Sequence, residues 1–398
     1  MLLRYIWICL FGVLWVPGYA ELDLASYFAD IDDDFTGTIH FAYGYSVSNN
    51  GEQTDDVFGT APYALWNRTG GEVVANTKVS DTLYFRGDLA GVLLTEVNDP
   101  YMRALTYGVH MASSNWGIIS LGRLPGASIS IMHTTQLESG VRSYFFEDAA
   151  ASNVIRKGDN TVVGTVKDFV SFGPIGGIGY RPMVRYVLPY TYFELSVAHA
   201  LDYGDVTELG AKYVYDGSFA RWVMLLAYAN DMPGVCVNPL GGNAGFSSTC
   251  PVYQGYRYLE TAGKLSLGYV DWVYNYAWLL AKQDQPTLKQ WFSGLDYTFL
   301  DISEYGPLTV GIGMMQRKLG AFSYQNNTVA ATADNGRVTG YALGVNKRFG
   351  RAGIRGYYER FNVFGDDTSG AAVAFDNKPV YAAGIVLYYD FARQMSED

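Results

Sequence analysis

Cysteine, histidine, proline and charge are all scarce in this chain of 398 residues, which holds 3 Cys, 4 His, 13 Pro and only 17% Asp, Glu, Lys and Arg. The histidines, His40, His110, His133 and His199, are scattered and offer no ligand set for a metal. So little proline excludes a proline-rich linker or a collagen-like repeat. Basic charge is in deficit, with Lys+Arg 28 against Asp+Glu 39 and a net charge of -11, so the electrostatic footprint of a nucleic-acid binder is absent. After the first twenty residues no apolar run reaches the roughly 18 residues that a spanning helix needs, which excludes a polytopic helical membrane protein. What the chain has instead is 33 Tyr, 21 Phe and 8 Trp among 45 Gly, an aromatic content of 16% that is incompatible with disorder.

The one long apolar stretch opens the chain. Arg4 precedes an apolar segment from Tyr5 to Val16, and Pro17-Gly18-Tyr19-Ala20 ends in small residues where a signal peptidase cuts. Residues 1–20 are therefore expected to be a signal peptide, and 21–398 a single exported domain. An uncleaved anchor is the alternative, and the apolar segment is short for it. Cys9 leaves with the signal. Cys236 and Cys250 then flank a stretch rich in Gly, Asn, Pro and Ser that reads as a loop, and two cysteines closing one loop in an exported protein are most simply a disulfide. Such a closure stabilises by roughly 3 kcal/mol in the chain-entropy account. No metal or other cofactor is expected.

From about Thr36 to Phe391 the recurring signal has period two. In Thr38-Ile39-His40-Phe41-Ala42-Tyr43-Gly44-Tyr45 the odd positions are large and apolar and the even ones small or polar. Leu209 to Tyr215 repeats the pattern and stops at Asp216-Gly217, a dipeptide of tight hairpins. Parity places Glu194, Ser196 and Ala198 opposite Phe193, Leu195 and Val197, and Lys212 opposite Tyr213. A soluble sandwich also alternates. Strands of about ten residues, aromatics near strand ends and short turns alternating with long polar loops favour a transmembrane barrel, apolar outside and polar inside. An exported sheet facing hydrocarbon must close, because open edges cannot be satisfied there. At roughly 20 to 25 residues per strand with its connections, the count comes to about sixteen, with fourteen or eighteen allowed.

Several segments resemble the general porins of Gram-negative outer membranes, of the neisserial and proteobacterial type. Phe85-Arg86-Gly87-Asp88-Leu89-Ala90-Gly91 is similar to that family's early Phe-basic-Gly-acidic-Leu-Gly turn. Arg103 to Val109 followed by Trp116 to Arg123 resembles its strand pair ending in Gly-Arg before the third external loop. Ser152-Asn153-Val154-Ile155-Arg156 resembles the return from that loop, with Lys157 in place of the usual Tyr, and Tyr341 to Arg348 resembles a late hairpin. Tyr381, Ala383, Ile385, Leu387, Tyr389 and Phe391 share one face of a final strand and resemble the C-terminal signal read by the barrel assembly machinery. Family members usually end at that Phe, whereas seven residues from Ala392 follow here.

The resemblance implies a homotrimer of sixteen-stranded barrels, set in lipid and lipopolysaccharide, whose third loop folds inward to narrow each pore. That loop is roughly Leu124 to Ser152 and carries Glu138, Glu147 and Asp148. Set against wall arginines Arg86, Arg123 and Arg156, these acids would form a constriction that selects among ions and small hydrophilic solutes. Parity sends Arg86 inward with Thr82 and Tyr84, while Leu83 and Phe85 face lipid. It sends Arg123 outward with Ile119 and Leu121, so an inward Arg123 requires a bulge. The Lys347, Arg348 and Arg351 turn is expected at the periplasmic rim. Rival readings are an enzymatic barrel, a substrate-specific channel, and a structural or adhesive barrel. The first would pair His110 with Ser113 or Ser114, but Ser113 has the opposite parity and Ser114 falls in a turn.

Overall fold

Large apolar residues at every second position give a strand one greasy face, and the architecture follows from where that face goes. The computed structural model describes residues 35–48, 63–80, 82–96, 99–126, 154–156, 162–165, 180–201, 206–232, 256–280, 288–299, 306–325, 330–367 and 380–395. The expected signal peptide, the cysteines Cys236 and Cys250, and the loop acids Glu138, Glu147 and Asp148 lie outside the described residues.

Sixteen strands form one closed antiparallel barrel, as periodicity and length predict. The first five are β1 (Phe35–Ser48), β2 (Tyr63–Ser80), β3 (Leu83–Glu96), β4 (Asp99–Ser113) and β5 (Gly117–Pro125). Two short strands, β6 (Val154–Arg156) and β7 (Val162–Thr165), pair only with each other, and β5 pairs instead with β8 (Tyr180–Pro189). The wall continues through β9 (Phe193–Ala200), β10 (Thr207–Asp216), β11 (Arg221–Met232), β12 (Tyr256–Leu267) and β13 (Val270–Leu280). It ends with β14 (Leu288–Phe299), β15 (Leu308–Gln325), β16 (Ala330–Phe349), β17 (Ala352–Asp367) and β18 (Val380–Met395). Pairing of β18 with β1 closes the barrel, so its wall has no open edge.

Tight connections gather at one end, where residues 114–116, 190–192, 217–220, 268–269 and 350–351 join successive strands. The chain leaves Asp216 as the Asp-Gly dipeptide predicts, but the turn spans Gly217 to Ala220, closed by the Gly217 N–H donating to the Ala220 carbonyl at 3.0 Å. The opposite strand ends, among them Ser48, Met232 and Asp367, lie at the other end. Several strands exceed the expected ten residues, β16 reaching 20 and both β2 and β15 reaching 18. At about 3.3 Å per residue and a tilt near 40°, such strands rise well beyond a hydrocarbon band of about 25 Å, so their ends stand outside it as hairpins.

The two faces have opposite chemistry. Outward residues are large, apolar and bare: Val109 is 60% exposed, Leu387 53% and Tyr43 52%. Inward neighbours are buried and include Glu208, Glu359, Arg317, Gln290 and Asn275 beside Val187 and Ala198. A soluble barrel would bury the first set and wet the second. This arrangement suits hydrocarbon outside and polar groups inside. Register shifts at Lys318 to Phe322 and at Ala229/Met232 fall toward strand ends, whereas one between Ala90 and Gly91 interrupts the β3–β4 ladder midway along it.

Candidate pore-lining site

Inward parity alone gives each strand a polar face, and cross-strand register decides which of those groups meet. On β2 to β5, Arg86 lies opposite His110, and His110 opposite Ser120. Arg86 leans along the wall and its Nη2 donates to Glu72 Oε1 at 3.4 Å, both side chains remaining partly exposed. His110 is held from both sides, Nε2 against Asp88 Oδ1 and Nδ1 2.7 Å from Ser120 Oγ. Ser120 is wholly buried, so its hydroxyl is a wall group and not a presented nucleophile. Ser113, weighed from the sequence as a partner of His110, instead accepts the Asn115 N–H at 3.2 Å.

Around the wall, Arg185 lies opposite Ser120, and its Nη1 donates to the Pro125 carbonyl at 3.3 Å. Glu194 and Lys212 face inward as parity anticipates, and register makes them partners on β9 and β10, with Nζ and Oε2 3.6 Å apart. Glu208 follows, buried between the inward alanines Ala198 and Ala229. On β12 to β15 the Asn275 amide donates to Glu260 Oε1, and Arg317 directs Nε and Nη2 onto Gln290 Oε1 at 2.9 and 2.7 Å. On β16 to β18 the Tyr388 hydroxyl donates to Asn346 Oδ1 at 2.9 Å, with the Arg355 guanidinium 5.6 Å from the Tyr388 ring. Toward the tight-turn end Lys264 meets Asp271 at 2.8 Å, and Asp271 lies opposite Asp296.

The sequence-derived candidates separate. Arg86 lines the inner wall beside Tyr84, which packs on Ala112, Ile118 and Val187. Arg123 does not join it. The β4–β5 ladder runs without a shift from Ser113↔Gly117 to Tyr107↔Arg123, so the bulge an inward arginine requires is missing. Arg123 therefore has the lipid-side parity of Leu121 and Tyr107, and its Nε is shut off from solvent. Arg156 is not a barrel-wall residue either, since it ends β6 in the separate two-stranded sheet. The third loop also starts later than expected, because Leu124 and Pro125 still pair with β8. Tyr389 projects from the outer face of β18, and Phe391 pairs with Ile39 of β1. Lys347, Arg348 and Arg351 flank the tight turn at 350–351, where Lys347 Nζ donates to the Gly306 carbonyl.

Sequence reasoning passed over Glu72, Asp88, Ser120, Arg185, Arg317 and Glu359. Their parity is legible along each strand, but the partners of the first five lie 10 to 60 residues away in the chain and become neighbours only through register. Burying such charges without partners costs several kcal/mol each, so a wall that places them inward and pairs them with one another is built for a polar interior.

A sixteen-stranded antiparallel barrel, apolar outside and charged within, is the fold of bacterial outer-membrane porins. Solved structures carry the same architecture. OmpF of Salmonella typhi, in complex with daunomycin, aligns at a TM-score of 0.54 with 14% identity, over 90% of this chain and 97% of that one. The trimer form of OmpT of Vibrio cholerae aligns at 0.52 with 14% identity over 90% and 98%. An anion-selective porin from Comamonas acidovorans aligns at 0.52 with 12% identity over 90% and 98%. At these identities the likeness is one of fold. No family model matches the chain, and no curated protein matches it in sequence.

Proposed function

We propose that this chain is a porin of the general type, passing ions and small hydrophilic solutes passively through the barrel of a Gram-negative outer membrane, with a preference for cations. The observation that carries the reading is the inverted polarity of the wall, bare aromatics and aliphatics outside and ionised side chains inside. Among the described residues the inner wall presents Glu72, Asp88, Glu194, Glu208, Glu260, Asp271, Asp296 and Glu359 against Arg86, Arg185, Lys212, Lys264, Arg317 and Arg355. Excess carboxylate in a low-dielectric wall raises the local concentration of cations. In this reading residues 1–20 are removed, Cys236 and Cys250 brace an external loop, three copies associate, and Glu138, Glu147 and Asp148 face Arg86 across the narrowest section. No chemical step is involved.

Planar-bilayer recording of the refolded barrel across a salt gradient tests this. Large ohmic steps in groups of three, with a reversal potential of cation-selective sign, are expected. Substituting Glu194, Glu208 and Glu260 by Gln should move the reversal potential toward zero. Silence from a barrel shown to be folded overturns the channel reading, and an anion-selective sign overturns the assignment of selectivity to the wall acids.

A further inference from the structure

Phe292, Tyr357, Phe361 and Tyr388 are the aromatic side chains described on the lumen face of β14 to β18, and the first three are buried. Tyr388 is half-buried, and its placement follows from a glycine. Tyr388 of β18 pairs with Gly353 of β17, and a Cβ on Gly353 would collide with the tyrosine ring. The missing side chain lets the ring lie flat across β17, far enough that its hydroxyl donates to Asn346 Oδ1 of β16 at 2.9 Å. On the other flank of Tyr388 stands Ala42 of β1, too small to cover it. One face of the ring is backed by the wall, and the other is turned to the lumen near the tight turn at 350–351.

Polar groups surround that face. Arg355 is the next inward residue along β17, with its guanidinium 5.6 Å from the ring centroid. Atoms laid in contact are about 3.5–4.0 Å apart, so Arg355 stands off the ring and does not cover it. Asn346, the register partner of Arg355, receives the Tyr388 hydroxyl on its oxygen and keeps its Nδ2 as a donor. Arg348, exposed across from Gly353, ties Nε to the Gly350 carbonyl at 2.9 Å.

A fixed apolar plane with hydrogen-bond donors at its edge suits one class of small hydrophilic solute. A pyranose ring has a face of C–H groups whose slight positive charge meets the negative face of an aromatic ring, and its equatorial hydroxyls project sideways toward donors. An open-chain polyol carries the same hydroxyls and no such face. Because Gly353 and the Asn346 bond hold the tyrosine ring before a ligand arrives, little rotamer freedom is lost on stacking.

We infer that Tyr388, with Arg355 and Asn346 at its edge, is a stacking site for pyranose sugars at the tight-turn mouth of the lumen. The site deepens the channel reading above, resting on a lumen open to solutes at this end, but it does not require that ions cross to the other.

Saturation-transfer-difference NMR of the refolded full chain, in a detergent without a sugar headgroup, tests the site with methyl β-glucopyranoside and glucitol as probes. The glucoside is expected to bind with the C–H protons of one ring face saturated most strongly, and glucitol at the same concentration is expected not to bind. Tyr388→Leu should weaken the glucoside roughly tenfold, Tyr388→Phe, which keeps the plane, less than about threefold, and Tyr215→Leu on the outer face not at all. Heat-modifiable migration on a gel establishes that each variant folds. Uniform saturation of the glucoside protons or equal binding of glucitol overturns the site in the wild-type chain alone, as does unchanged affinity in Tyr388→Leu. Bilayer recording separates the site from the channel: a barrel that binds the glucoside and conducts nothing supports the site and overturns the channel, whereas one that conducts without binding overturns the site alone.

Discussion

Burial decides which charged residues of the wall matter for stability and which for transport. Arg86 and Glu72 meet at 3.4 Å, with side chains 27% and 42% exposed, so water screens their attraction and the pair contributes only about 0.2–1 kcal/mol. Arg317 is 1% exposed and directs two donors onto Gln290. Arg86→Ala should therefore leave the denaturant midpoint almost unchanged while shifting the reversal potential further toward cations, since a luminal cation is lost. Arg317→Ala should behave oppositely: it leaves the Gln290 oxygen without these donors in a buried site, a cost of about 1–3 kcal/mol, and lowers the unfolding midpoint in urea. Both measurements on both variants check the division. An Arg317→Ala barrel as stable as wild type would show that Gln290 finds water instead.

The strands show how far one-dimensional patterning reaches. Alternation along Thr38 to Tyr45 and Phe193 to Ala198 gave the correct faces, because a strand's period of two is a local property. The position of Arg123 was also legible from parity, and the family resemblance pulled it the wrong way. Register was not legible, and with it went the His110–Asp88–Ser120 cluster and the separate β6–β7 pair, which depend on chain segments meeting across the sheet. Glycine makes the same distinction. Gly87 of β3 has open space where a Cβ would go, whereas a Cβ on Gly122 of β5 would collide with the Tyr107 carbonyl of β4, and its φ of 150° is one that L side chains rarely adopt. Gly87→Ala should fold like wild type, within about 0.5 kcal/mol, as surface substitutions do. Gly122→Ala should cost more than 1 kcal/mol through backbone strain, or block folding, as read from the temperature at which the folded form disappears on a heat-modifiability gel. Equal transition temperatures would mean that β4 and β5 can part without cost.

At the scale of the whole barrel, closure explains a departure from the family pattern. The residues after Phe391 continue β18, where Ala392, Arg393, Gln394 and Met395 pair in turn with Thr38, Gly37, Thr36 and Phe35 of β1. Those same β1 residues also pair with Glu72 to Ala75 of β2, so β18 supplies the second neighbour that the start of β1 needs. Ending the chain at Phe391 would leave this part of β1 as an open edge, its N–H and C=O groups without ladder partners on that side. A chain stopped after Phe391 should still form a barrel, because the ladder from Ile39↔Phe391 to Ser48↔Ala382 survives. Its folded form should be lost at a lower temperature than that of a chain stopped after Met395, and amides of β1 from Phe35 to Thr38 should exchange with deuterium much faster. If the two truncations exchange alike along β1, the closing seam draws its stability from residues beyond Ile39, and the extra length of β18 does not support closure.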